Sequence, residues 1–175
     1  MNIIKTTKLI HNIFQYCKNE YEVFEGLKLF TWKTYVKEYK DSVYVDVKLN
    51  DKQTKITISY NSYSYKKLED YNESIFITDL FKSVDINNIE DAFMISILHE
   101  FGHIHRILTG DVNYEKYLED VNSLKAWYLR SPDTYENKIE YNKRYRNIEE
   151  EKCADEFAVE NYEKCKIYLK EKGVI

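Results

Sequence analysis

The sequence predicts an α+β protein whose strands and helices are segregated along the chain. Three observations carry this. Residues 6 to 24 have a helical period, the period changes to two from Lys33, and every signal after Asn87 is helical. No internal repeat and no linker rich in Gly, Pro or Ser interrupts the 175 residues, so they read as one domain, 1–175.

The first helix is expected from Leu9, Ile10, Ile13, Phe14 and Cys17, whose spacing puts them on one face. Strands follow at Thr34–Tyr39, Val43–Val47 and Lys55–Tyr60, where β-branched and aromatic residues broadly alternate with polar ones. Asn50 to Gln53 suits a hairpin turn between the second and third. Ser74–Thr78 adds a candidate fourth strand to what is expected to be a small antiparallel sheet. Asn88 with Asp91 has the form of a capping box that opens a helix over 89–109, and Gly110 is placed to end it. A second helix fits Val112 to Arg130. Ser131–Pro132 stops it and can start the next, because proline is favoured at a first helical position. Asn147 with Glu150 then signals a last helix that ends at Gly173.

Composition limits the function. Hydrophobic residues make up 43% and charged residues 32%, the balance of a soluble globular chain. A net charge of -4 and the lack of a long basic block argue against nucleic acid as a ligand. The densest basic stretch, Lys143-Arg144-Tyr145-Arg146, reads as a solvated helix face. No apolar run is long enough for a membrane span. The N-terminus carries Lys5, Lys8 and His11 inside its apolar stretch, which reads as an amphipathic helix and not as a signal peptide. Cys17, Cys153 and Cys165 are an odd, widely spaced set, expected to be reduced thiols in a cytoplasmic protein.

Chemistry is concentrated in ISILHEFGHIH, residues 95 to 105, which holds three of the four histidines. His99 and His103 are four apart and lie about 40° apart on one helix face, a spacing that aims two imidazoles at one metal ion. Glu100 is about a quarter-turn round, suited to a water on the metal's open side and not to ligation. His105 points elsewhere. A catalytic zinc wants a third protein ligand, and no histidine follows to supply it, so a carboxylate is expected. The last helix offers one. With Glu151 as origin, Ala158, Tyr162, Cys165 and Leu169 all fall within about 40° of it, which puts Glu151 in the middle of the core-facing stripe. Glu149, Glu156 and Glu160 fall on the solvated side and Glu150 on the flank. Asp155 is the other acid on the inward stripe. A zinc ion would satisfy Glu151, and a ligand imidazole N–H would satisfy Asp155.

HEFGH followed by Glu151-Lys152-Cys153-Ala154-Asp155-Glu156-Phe157-Ala158 resembles the zincin pattern HExxH…ExxA[ND]xFA of ImmA/IrrE-type metallopeptidases. The resemblance covers about residues 88 to 110 and 147 to 160. It implies a zincin-like fold with a short sheet before the HExxH helix, one zinc per chain held by His99, His103 and Glu151, and Glu100 as general base. It implies a protein or peptide substrate, a transcriptional regulator in the ImmA-like case. The missing spans favour this soluble group over its membrane-bound relatives. Cys153 stands where the soluble family often has glutamate, and the stretch from 104 to 150 is longer than usual. Arg106, one turn beyond His103, is a candidate for stabilising the transition state, with a surface role or pairing to Asp155 as alternatives. A zincin-shaped, zinc-binding regulatory module without turnover is the competing function.

Overall fold

The structure is a computed structural model that describes residues 3–34, 45–61 and 81–175. Ile3–Glu20 form helix α1. Leu9, Ile10, Ile13, Phe14 and Cys17 are buried along one side of it, as their spacing requires. The helix stops at Glu20, earlier than expected. Residues Glu22–Phe24 make a 3₁₀ turn that drops Phe24 into the core, and Gly26 supplies the left-handed conformation (φ 73°) that redirects the chain.

Three strands follow: β1 (Lys28–Thr34), β2 (Val45–Leu49) and β3 (Lys55–Asn61). Their order is β1-β3-β2, with β2 antiparallel and β1 parallel to β3. The sheet is therefore mixed, which corrects the expected antiparallel one. Strand β3 takes the centre because Ile56, Ile58 and Tyr60 bury one whole face of it. The tight turn into it makes β2 antiparallel, leaving β1 the other edge. In that turn the Asn50 side-chain carbonyl accepts from the N–H groups of Thr54 and Lys55 at 2.9 and 2.7 Å. The first strand also begins earlier than its alternation suggests. In β1 the large aromatics Phe30 and Trp32 face outward, 49% and 69% exposed, so its apolar pattern is inverted. The expected strand residues 35–39 and 74–78 lie outside the described residues.

Four helices complete the chain: α2 (Ile89–Thr109), α3 (Tyr114–Arg130), α4 (Tyr135–Arg146) and α5 (Glu149–Glu171). Helix α2 has the expected ends. Asn88 Oδ1 accepts from Asp91 N at 2.9 Å, and Gly110 closes the helix at φ 79°. Two other boundaries differ. Thr134 caps α4, so Pro132 lies ahead of the helix instead of at its first position. Helix α5 has Ile148 at its N-cap position with no side-chain cap, because Asn147 donates back to Lys143 O at 2.9 Å and Glu150 is engaged elsewhere. No helix among the described residues is long and apolar enough to cross a membrane.

The core lies between α1, the buried face of the sheet, α2 and α5. A smaller cluster of Val121, Leu124 and Ile148 binds α3 and α4 to the start of α5. Helices α2 and α5 cross at Gly102. A Cβ built there would meet Ala154 Cα at 2.9 Å and Ala154 O at 3.0 Å, closer than packed carbons approach. Neither atom can turn aside, since both belong to backbone. Gly102→Ala is therefore expected to push the two helices apart and to cost about 1–3 kcal/mol in chemical denaturation. Unchanged stability would mean that the helices are not in this contact.

Candidate metal centre

The close crossing brings the fourth and fifth turns of α2 against the first turns of α5. His99 and Glu151 are buried and His103 is partly so. His99 Nε2 lies 3.1 Å from His103 Nε2 and 3.4 Å from Glu151 Oε2, and His103 Nε2 lies 3.6 Å from Glu151 Oε1. One donor atom from each residue falls within 4.8 Å of the others, so His99, His103 and Glu151 can hold a metal ion. Asp155 Oδ1 sits 2.9 Å from His99 Nδ1. Accepting the Nδ1 proton leaves a lone pair on Nε2, the atom that faces His103 and Glu151.

Helix phase explains this convergence. On α5, Glu151, Asp155, Ala158, Tyr162, Cys165 and Leu169 are all buried, while Glu149, Glu156 and Glu160 are exposed. On α2, His105 is turned away from the cluster and packs among the rings of Tyr21, Phe24 and Phe157, with centroids 5.0 to 6.3 Å away.

Buried carboxylates need compensation, and here it comes from several sides. Burial works to raise the pKa of Glu151, but the neighbouring imidazoles of His103 and His99 outweigh it and hold the carboxyl well below the usual range. Tyr117 Oη donates to Glu151 Oε1 at 3.0 Å and lies 3.4 Å from Tyr145 Oη. Burial pushes the Tyr117 hydroxyl up to about 12 and raises Tyr145 further, so both phenols stay protonated donors at neutral pH. Arg146, at the end of α4, pairs with Asp155 and lies 3.5 Å from Glu151 Oε2.

Glu100 is half-buried, and loss of water around its carboxyl raises its pKa against the opposing charges of His99 and His103. It lines two adjoining cavities, together with His103 and Tyr117. One, of about 390 Å³, also reaches His99, Arg146 and Glu151. The other, of about 520 Å³, is walled by Val47, Leu49, Ile104, Ile107 and Val112. Strand β2 borders both, and among the described residues it is an edge of the sheet.

Arg106 is placed differently from both alternatives to its candidate role. Its Nε and Nη2 donate to Glu150 at 2.8 and 3.2 Å, and Nη2 also reaches Asp111 O at 2.8 Å. The partner of Asp155 is instead Arg146. The basic stretch from Lys143 is correspondingly not solvated throughout, since Arg146 keeps only 15% of its side chain exposed. The sequence reading missed Arg146, Tyr117 and Tyr145. The available signal was the pairing of Tyr141 with Tyr145, which gives α4 an apolar edge just before Arg146.

These contacts separate three adjacent glutamates. Glu151→Ala is expected to abolish uptake in a divalent-metal titration by removing one of three donors. Glu149→Ala should change nothing. Glu150→Ala should spare uptake but lower stability by about 1–3 kcal/mol, because Arg106 loses its buried carboxylate. Loss of uptake in the Glu149 variant instead would mean a different register for α5. Comparison of the chain with protein-family models, with curated proteins and with solved structures finds no match in any of the three.

Proposed function

We propose that the protein is a zinc metallopeptidase that hydrolyses peptide bonds in a protein substrate. The observation that carries this is the spacing of the two imidazole nitrogens and the Glu151 carboxylate. Ligand atoms about 2.0–2.1 Å from a tetrahedral zinc lie roughly 3.3–3.5 Å from one another. The two imidazole nitrogens are 3.1 Å apart, and each faces its own oxygen of the Glu151 carboxylate, His99 Nε2 at 3.4 Å from Oε2 and His103 Nε2 at 3.6 Å from Oε1. Two imidazoles and one carboxylate are the donor set of a catalytic site that keeps a position open. His99, His103 and Glu151 would hold the ion, and Asp155 would orient His99 through Nδ1.

When bound, zinc supplies Lewis acidity toward a substrate carbonyl and acidifies a water molecule. Glu100 is the residue that receives the water's proton and passes it to the departing amine. A carboxylate with a raised pKa suits both halves of that exchange. Tyr117 and Tyr145 offer phenol donors at the cleft wall. A substrate segment in extended form can run beside β2, pairing with backbone and making little demand on sequence, while the apolar cavity receives a side chain. Taken with the resemblance of HEFGH and ExxADEFA to ImmA/IrrE-type enzymes, the reading is of a soluble protease acting on a regulatory protein. The free thiols of Cys17, Cys153 and Cys165 agree with a cytoplasmic setting.

The test is Glu100→Gln. The variant should bind close to one zinc per chain, as the wild type does, and lose cleavage of an unstructured protein substrate by at least about 100-fold, because an amide cannot take the proton. Equal biological activity in the two proteins would favour the competing reading of a zinc-binding module without turnover.

A further inference from the structure

We propose that Arg146 is a built-in counter-cation of the metal centre. It holds the buried carboxylates in place in the metal-free protein, and it weakens the site's hold on zinc. The inference rests on the zinc reading above.

The guanidinium touches three of the four residues at the centre. It pairs with Asp155, approaches Glu151 Oε2 at 3.5 Å, and lies 3.3 and 3.4 Å from His99 Nδ1 and Nε2. Two of the three candidate donor atoms, His99 Nε2 and Glu151 Oε2, thus lie against a fixed positive charge. Glu151 and Asp155 are only 2% and 1% exposed, so each needs a cation or hydrogen bonds to remain ionised there. An arginine meets that need permanently, because a guanidinium does not deprotonate in a protein. For the same reason it cannot withdraw its charge when a dication arrives. Zinc and Arg146 must then share Glu151, and His99 with its partner Asp155 lies against both, so the two cations repel one another across a few ångströms of poorly screened space.

The position of Arg146 makes this arrangement economical. It is the last residue of α4, and the break at Asn147 and Ile148 turns the chain directly into α5. The side chain can therefore reach back over the first turns of α5, where Glu151 and Asp155 face inward. Tyr145, beside it, packs in the small cluster with Tyr141 and Ile148, which anchors the end of α4.

An arginine with only a structural role and one acting as counter-cation differ in sign. Losing a structural arginine lowers stability and metal affinity together. Losing a counter-cation lowers the stability of the metal-free protein but tightens metal binding, since Glu151 is released to the metal, Asp155 is left to His99, and the repulsion is gone.

The experiment uses the full chain. Zinc affinity is measured by competition with a chromophoric chelator, and melting temperature is measured in EDTA. Arg146→Gln, which keeps a donor for Asp155 without the charge, should bind zinc about tenfold or more tightly than wild type and melt lower in EDTA. Arg146→Lys should stay within about threefold of wild-type affinity. Arg146→Met repeats the measurement if the glutamine variant does not fold. Zinc bound no more tightly by the neutral variants, while the wild type binds one zinc, overturns the proposal. So does failure of both neutral variants to fold with zinc present, which would make the arginine structural. A wild type that binds no zinc overturns the metal reading itself, and the proposal with it.

Discussion

The candidate centre depends on one close contact, the crossing of α2 and α5 at Gly102. With no Cβ at Gly102 and only a methyl group at Ala154, the two backbones meet at a distance that larger side chains would forbid. His99 and His103 lie on either side of Gly102 in the sequence, and Glu151 and Asp155 flank Ala154. The smallest residues of both helices thus sit at the crossing, and the metal-ligating types stand around it. Widening that crossing by one methyl group would separate the imidazoles from the carboxylates.

The same closeness creates an electrostatic problem. It buries Glu151 and Asp155 in a cluster where Glu100 is also shielded from water. The fold answers with His99 and His103 from α2, Tyr117 from α3 and Arg146 from α4, so three helices besides α5 converge on its first two turns. A second ion pair, Arg106 with Glu150, braces the loop after α2 against the start of α5. The paired acids at 150 and 151 therefore do different work. One ties the helix down, and the other faces the histidines.

What was legible in the sequence follows helix phase. Residues 149 to 171 form one unbroken helix, so the angle from Glu151 to Leu169 could be read directly, and the buried face is the one that phase selects. The HExxH helix was legible for the same reason, with its cap at Asn88 and its stop at Gly110. Arg146 was not. It belongs to a helix that ends two residues before α5 begins, and the intervening break resets the phase. Choosing between Arg106 and Arg146 as the partner of Asp155 also needs the tertiary arrangement, because each lies near the end of its own helix. Strand β1 hid for a different reason: Phe30 and Trp32 put its largest apolar groups on the outward face. The parallel pairing of β1 with β3 depends on which strand is central, which local alternation does not encode.

His99, His103 and Glu151 are placed to converge on one metal ion. Crystals grown with zinc, measured on both sides of the zinc absorption edge, test this most directly. One strong anomalous peak per chain is expected, bounded by His99 Nε2, His103 Nε2 and a carboxylate oxygen of Glu151, with Asp155 on the far side of His99. A dominant peak at any other residues, such as Cys153, or no peak between the two histidines in zinc-saturated crystals, would contradict it.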